Sequence, residues 1–196
     1  MKQLLPLLSR IRQCRLCAPF LPLKPNPVLR AHIESRLLIV GQAPGIRVHQ
    51  TGVPWNDPSG DRLRDWINID KKTFYDESKI AIIPMGFCYP GTGPHGDLPP
   101  RKECAKKWLA SLLTSLPKIQ LTLLVGQYAQ RYYLKQRCKQ NLTETVANFS
   151  EYLPEYLPLP HPSPRNNIWL KRNPWFVKSV IPTLQTVCHN FLKKKL

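Results

Sequence analysis

Acidic residues are scarce in this chain of 196 residues, which has 12 Asp and Glu against 29 Lys and Arg. The formal net charge of +17 gives the molecule a positive field that favours polyanionic partners. Nucleic acid is the first candidate, and an acidic protein or an anionic membrane surface are the alternatives. The basic residues are spread along the chain, which indicates a charged face on a folded body.

Long hydrophobic runs are also missing. The longest, 37–40 and 121–125, are far shorter than the roughly 20 residues that a membrane-spanning helix needs. Residues 1–11 lack the long apolar core and the small-residue cleavage site of a secretory signal. We therefore expect a cytoplasmic protein without a membrane partner, associated with the nucleoid if its partner is DNA. In that compartment the six cysteines are expected as ligands or core residues.

Two common nucleotide-binding motifs are missing in their functional form. The letters G-x-G-x-x-G occur at 91–96, but they neither directly follow the apolar run 80–83 nor open a helical pattern, because Pro99 and Pro100 come next. No glycine-rich phosphate loop ends in Gly-Lys-Ser/Thr. Both observations argue against a dinucleotide cofactor and against an NTPase.

Four short apolar runs have the character of strands that are buried on both faces of a parallel sheet. Helical patterns alternate with these runs, and prolines cluster in the loops between them. This alternation predicts a three-layer α/β/α fold with about four mainly parallel strands and helices on both faces. We expect a single domain over 1–196, with a cysteine-containing segment 1–35 packed on it. The predicted strands cover 37–40, 80–83, 121–125 and 156–159.

The segments that follow the four strands are rich in glycine, proline, amide, aromatic and histidine residues. Ligands bind outside the carboxyl ends of the strands in sheets of this kind, so one composite site is expected at that edge. The first loop has two glycines around a proline, which lets a ligand approach the backbone, although such a loop is often only a turn. It consists of Gly41, Gln42, Ala43, Pro44 and Gly45.

The loop after the last strand begins with His161, which lies between the strand and two prolines that stiffen the chain. A histidine held there could donate a hydrogen bond to a leaving group that gains negative charge. The residues that follow mix basic, amide and aromatic side chains, as a DNA-contacting loop does. Trp55, in another proline-braced loop, could stack on a base or simply cap the sheet edge. The expected DNA contacts are Ser163, Arg165, Asn166, Lys171 and Arg172.

Four cysteines could form a metal site. Cys14 and Cys17 make a C-x-x-C pair, and Cys88 with Cys104 could complete a four-thiolate site for zinc or an iron–sulfur cluster. The alternative is four unrelated buried thiols. Cys138 and Cys188 fall within helical patterns and are interpreted as core residues.

Taken together, these motifs resemble the uracil-DNA glycosylase superfamily, and most closely its iron–sulfur branch. That branch has a C-x-x-C pair before a first strand that ends in G-E-A-P-G, which residues 41–45 match except at Gln42. A glycine, a Pro-aromatic pair and a second glycine follow, as Gly52, Pro54-Trp55 and Gly60 do here. The second motif of the family begins with His-Pro-Ser, which matches residues 161–163.

The resemblance implies a monofunctional DNA glycosylase of base-excision repair that hydrolyses the N-glycosidic bond of a flipped, deaminated base, with uracil as the first guess. His161 would stabilise the departing base, Gln42 would position water, and Arg165 would fill the gap left by the base. The resemblance also raises a 4Fe-4S cluster above zinc as the group held by the four cysteines, and we expect a monomer whose partner is damaged DNA. The base pocket would be formed by Gly41, Ala43, Pro44, Gly45, Trp55 and Asn56.

Three departures from the family stand beside this resemblance. The cluster-free branch has an aspartate where this chain has Ala43, and the iron–sulfur branch has a glutamate where it has Gln42. The uracil-reading asparagine of the family corresponds to Pro84. Asp57 and Asp61 are the candidate replacement carboxylates. The alternatives are a non-catalytic module that binds damaged or single-stranded DNA and, less favoured, a hydrolase of small nucleosides or phosphate ligands.

Overall fold

The computed structural model describes residues 3–94 and 96–193, and its centre is a sheet of four parallel strands. Their spatial order is β2-β1-β5-β6, so the connections reverse direction between β1 and β5. Leu37 of β1 pairs with Ile80 on one side and with Leu121 on the other, and Thr122 pairs with Tyr156. The strands of this sheet are β1 (Leu37–Val40), β2 (Ile80–Ile82), β5 (Leu121–Val125) and β6 (Tyr156–Leu159). Two short strands between them, β3 (Thr92–Gly93) and β4 (Gly96–Asp97), form an antiparallel hairpin.

Helices cover both faces of the sheet. They are α1 (Leu4–Arg12), α2 (Ile46–Thr51), α3 (Pro58–Ile67), α4 (Lys71–Phe74), α5 (Lys102–Cys104), α6 (Ala110–Thr114), α7 (Gln127–Leu134), α8 (Leu142–Ala147), α9 (Asn167–Arg172) and α10 (Ile181–Lys193). A π-helical turn (Ala105–Leu109) joins α5 to α6, and a second one (Phe176–Val180) precedes α10. The second turn lies just before Pro182, whose ring has no N–H and cannot continue the regular hydrogen bonding of the helix.

Alternate residues of each strand enter two separate hydrophobic layers, because successive side chains of a strand point to opposite faces. Leu38, Val40 and Leu124 belong to the layer under α1, α6 and α7. Leu37 and Ile39 belong to the layer under α3 and α10. The four parallel strands are buried at every residue except the half-buried Tyr156, which is why they read as nearly continuous apolar runs. The three-layer α/β/α prediction is confirmed.

Candidate active site

A cavity of about 650 Å³ opens at the carboxyl edge of the sheet, next to the point where the strand order reverses. Ligands of open α/β sheets bind at such a point. Its wall is formed by the loops that follow β1, β2, β5 and β6 and by the β3–β4 hairpin, as the composite site predicted from the sequence requires. The lining includes Gly41, Gln42, Ala43, Pro44, Gly45, Trp55, Asp57, Pro84, Asp97, Gln127, His161, Ser163, Arg165 and Asn166.

The loop after β1 is fixed by the loop after β2. The backbone N–H of Met85 donates to the Gly41 carbonyl, and the N–H of Gly86 donates to the Gln42 carbonyl, both at 2.9 Å. The two loops thus continue the parallel pairing of their strands for two more residues. This pairing holds the floor of the cavity in one position.

Trp55 forms one wall of the cavity and is held in an unusual backbone conformation. Its φ of 57° lies in the left-handed region, which bulky residues rarely adopt and which costs about 1–3 kcal/mol. Gly60 makes room for its backbone: a Cβ at residue 60 would lie 2.6 Å from the Trp55 carbonyl carbon. Arg64 Nη1 donates to the Trp55 carbonyl at 3.4 Å, and the Tyr75 hydroxyl donates to the Pro54 carbonyl at 2.9 Å. The surrounding contacts therefore hold this strained residue in place.

The indole of Trp55 lies directly over Gly41. A Cβ at residue 41 would be 2.9 Å from its Cζ2 atom, so only glycine leaves enough room. The indole also lies near the imidazole of His161, with 5.6 Å between ring centroids and 30° between ring planes. An aromatic face and a histidine thus lie side by side in the cavity.

His161 is oriented by its own loop. Its Nδ1 accepts a hydrogen bond from the backbone N–H of Ser163 at 3.2 Å, and Asn166 Nδ2 donates to the His161 carbonyl at 2.7 Å. Burial lowers the pKa of His161, and this effect exceeds the opposing effect of the negative charges of Asp57 and Asp97. The imidazole is therefore neutral near pH 7, with its proton on Nε2.

Arg165 and the hairpin meet at the opening of the cavity. The guanidinium of Arg165 lies against Gly96, where an added Cβ would collide with its Nη1 atom. Arg165 itself is exposed on the short 3-10 helix (Pro164–Asn166), and Arg62 Nη1 donates to the Ser163 carbonyl of the same loop at 3.2 Å. Lys171 and Arg172 are exposed on the following helix, α9, outside the cavity lining. Asn56 is half-buried beside Trp55, but it is absent from the lining.

Three carboxylates can be compared as replacements for the missing one. Asp61 pairs with Arg64, is 74% exposed and lies outside the cavity lining. Asp57 lines the cavity, but its Oδ1 caps α3 by accepting from the Gly60 N–H at 2.8 Å. Asp97 lines the cavity from β4, and sequence reasoning missed it. The signal available was an acidic residue within the glycine-rich segment between Cys88 and Cys104.

The four cysteines line a second, smaller pocket. Cys14, Cys17, Cys88 and Cys104 line a common space of about 10 Å³ together with Phe87 and Trp108. All four carry free thiols, and burial is the main cause that raises the pKa of Cys88 to about 11 and that of Cys104 to about 12. Cys138 and Cys188 lie elsewhere, and Cys188 belongs to the second core layer, as predicted.

A further donor lines this pocket. Trp108 has a buried Nε1–H without a hydrogen-bond partner among the described residues. Within residues 3–94 and 96–193, no group of three or more His, Cys, Asp or Glu is arranged to hold a metal ion. Four thiols with one unpaired N–H beside them suit an iron–sulfur cluster or a zinc ion by their chemistry.

Comparison with protein families identifies the class of the protein. Residues 30–185 match the Uracil DNA glycosylase superfamily, a span that runs from the segment before β1 into α10. The chain therefore belongs to this superfamily, as the motifs around Gly41 and His161 predicted. Members of the superfamily are generally DNA N-glycosylases that act on DNA. In the part of the chain that is described, no helix is long and apolar enough to cross a membrane.

Proposed function

We propose that this protein is a monofunctional DNA glycosylase that hydrolyses the N-glycosidic bond of a flipped, deaminated base, with uracil as the first base to test. The observation that carries this proposal is the pairing of a neutral, Nε2-protonated His161 with the face of Trp55 in one cavity. Membership of the superfamily and the net charge of +17 support DNA as the substrate.

His161 stabilises the departing base. When the bond between the sugar and the base breaks, its electron pair moves onto the base, and negative charge develops on the base oxygen. The Nε2–H of a neutral imidazole donates to that oxygen, while the Nδ1 contact with the Ser163 N–H keeps the ring oriented. Removing one such preorganised donor typically costs about 100-fold to 1000-fold in rate.

Trp55 and the loop after β1 receive the flipped base. A base reaches such a pocket only by leaving the stack, which costs a few kcal/mol and costs least in mispaired or single-stranded DNA. Stacking on the indole offsets part of that cost. Gly41, Ala43, Pro44 and Gly45 bring the backbone close to the base, and Asn56 borders the indole from outside the lining. Pro84 has no side-chain amide to read uracil, so the base preference has to come from other groups.

The DNA strand from which the base has left is held by the protein loop that follows β6. Arg165 lies at the opening of the cavity and fills the vacated position in the stack. Ser163 and Asn166, in the same loop, contact the DNA backbone nearby, and Lys171 and Arg172 extend this basic surface along α9. The protein acts on DNA as a monomer in this proposal.

Gln42 positions the attacking water. Its Nε2 donates to the Leu98 carbonyl at 2.9 Å, which leaves the Oε1 atom as the acceptor for a water proton. An amide can orient water in this way, but it cannot take a proton from water at neutral pH.

The four cysteines hold a 4Fe-4S cluster in this proposal, with zinc as the alternative. Cys14 and Cys17 lie after α1, and Cys88 and Cys104 come from the segment that follows β2. A cluster bound to them would supply a structural link and need not change its redox state. It would tie the N-terminal segment to the cavity loops.

A binding module without catalysis is the second candidate. The specific observation in its favour is that Gln42 and Ala43 stand where the family has carboxylates. A protein without these carboxylates could still bind a base in the pocket while it no longer hydrolyses the N-glycosidic bond. Base-selective binding without base release would be its signature.

The test uses labelled oligonucleotides that carry uracil, hypoxanthine or xanthine, both single-stranded and paired. After incubation, alkali cleaves any abasic site. Strand breaks that depend on one base and on His161 support the glycosylase and identify its substrate. Tight binding without breaks on any of these oligonucleotides favours the binding module.

A further inference from the structure

The proposed hydrolysis needs a group that accepts a proton from the attacking water. The loop after β1 does not supply one, because an amide occupies position 42 and a methyl side chain position 43. A general base of this kind is usually a histidine or a carboxylate. His161 already holds its proton on Nε2 and uses it toward the base, so the structure has to provide a carboxylate.

Asp97 is the carboxylate least engaged in other hydrogen bonds and ion pairs among the three that were compared. Asp61 is paired with Arg64 outside the lining, and Asp57 uses its Oδ1 to cap α3. The side chain of Asp97 is exposed toward the cavity, and its one hydrogen bond from a described residue comes from Thr92 Oγ1, at 3.3 Å from Oδ1.

The hairpin places this carboxylate over the first loop. Asp97 Oδ2 lies 3.3 Å from the position that a Cβ on Gly45 would occupy, so the carboxylate faces the segment from which the family's own carboxylate would come. Its charge also acts on the imidazole, because Asp97 opposes the effect of burial on the pKa of His161. Among the described residues that line the cavity, the other charged groups are Asp57 and, against Gly96, Arg165.

Gln42 fixes the hairpin in this position. Its Nε2 donates to the Leu98 carbonyl at 2.9 Å and approaches the Asp97 carbonyl at 3.4 Å. The residue that replaces the family's glutamate therefore holds the chain segment that carries the new carboxylate.

We propose that Asp97 is the catalytic carboxylate of this protein and that Gln42 is its positioning residue, an inference that rests on the proposed glycosylase function. The bond between sugar C1′ and the base nitrogen breaks, and its electron pair leaves with the base. The water oxygen forms a bond to C1′, and the proton of that water passes to the Asp97 carboxylate. Before that transfer, the negative charge of Asp97 stabilises the positive charge that develops on the sugar.

Single-turnover base release from the best of the uracil, hypoxanthine and xanthine oligonucleotides tests this assignment. D97N is expected to lower the rate about 100-fold or more, which is the usual contribution of a general base. D57N is expected to lower the rate much less than D97N does, because asparagine caps a helix about as well as aspartate does. D65N, which removes an exposed carboxylate of α3 outside the cavity, is the matched control.

Two further readouts separate catalysis from structure. D97A should regain base release in added formate, which D57A should not. Fluorescence anisotropy should show that D97N binds the oligonucleotide within about threefold of the wild type. Q42A should slow release less than D97N does and should gain nothing from formate.

The outcomes can be told apart. If the wild type releases a base and D97N releases it within threefold of the same rate, the assignment of Asp97 is wrong while the glycosylase proposal stands. If D57N loses the rate and D97N keeps it, the carboxylate is Asp57. If the wild type releases no base from any oligonucleotide of the panel, the proposed function fails and the role of Asp97 fails with it.

Discussion

Replacing Gly60 by alanine tests how Trp55 is held. Gly60 lies in the first turn of α3, where alanine is intrinsically better than glycine by about 1 kcal/mol. On helix propensity alone, the G60A variant should be more stable than the wild type. The structure predicts the opposite sign, because a Cβ at this position would lie 2.6 Å from the carbonyl carbon and 2.8 Å from the Cβ of Trp55.

The size of the effect follows from these distances. Carbon atoms in favourable contact lie roughly 3.5–4.0 Å apart, and the added Cβ comes closer still to the Trp55 carbonyl oxygen, so the backbone of Trp55 has to move by about 1 Å or more. Overpacking costs about 1–3 kcal/mol, and this close contact places G60A at the upper end of that range, above the gain of about 1 kcal/mol in helix propensity. We expect the free energy of unfolding to fall by about 1–2 kcal/mol. A 1 Å shift of a substrate-positioning group can also cost about 100-fold in rate, so base release should fall by that order.

Chemical denaturation and single-turnover base release measure the two effects. G52A is the control: Gly52 also has a left-handed backbone, with φ of 67°, but nothing lies within 4 Å of an added Cβ. It should lose about 1–2 kcal/mol from backbone strain and keep its rate of base release. A G60A protein that is as stable as the wild type, with full base release, would refute the reasoning about Trp55.

Three further predictions concern the histidine, the arginine and the cysteines. H161A should lower base release about 100-fold to 1000-fold with little change in DNA affinity. Because burial lowers the pKa of His161, the wild-type rate should persist as pH falls below 6.5 and should drop only at more acid pH. A loss of rate already above pH 6.5 would contradict this. R165A should reduce excision from paired DNA more than from single strands, because only paired DNA has a stacked position for Arg165 to fill. Equal losses on both substrates would argue against this role of Arg165. C88S, purified without oxygen, should lack the iron and the visible absorbance of the wild type, whereas C138S should keep both; zinc in the wild type would overturn the cluster.

The sheet and its position in the chain could be predicted from the sequence. Runs such as 37–40 are apolar at every position because both faces of the sheet are covered, and this pattern leaves little ambiguity. The end of α7 is a different case: the helical pattern of the sequence continues to Cys138, but the helix ends at Leu134, because Lys135 adopts a left-handed φ of 50°. Local geometry of this kind is decided by tertiary contacts, which periodicity does not record.

The β3–β4 hairpin could not be predicted in the same way. Each of its strands has only two residues, and glycine supplies half of them, so no alternation of apolar and polar residues marks them. Its place over the cavity depends on contacts with Gln42 and Arg165, which are distant in sequence. For that reason the loops that contain Trp55 and His161 were identified from the sequence, but Asp97 was not.

The segment between Cys88 and Cys104 has both of its ends at the cysteine pocket, and the hairpin lies between them. Fixing the two ends of a loop removes conformational freedom from everything in between. A cluster on these thiols would therefore restrain the β3–β4 hairpin, which contains Asp97, whereas the sheet is stabilised by its own two hydrophobic layers. If the proposed cluster is present, an oxidant that destroys it would loosen the hairpin without unfolding the sheet. The proposed base excision would then weaken under the oxidative conditions that also damage DNA.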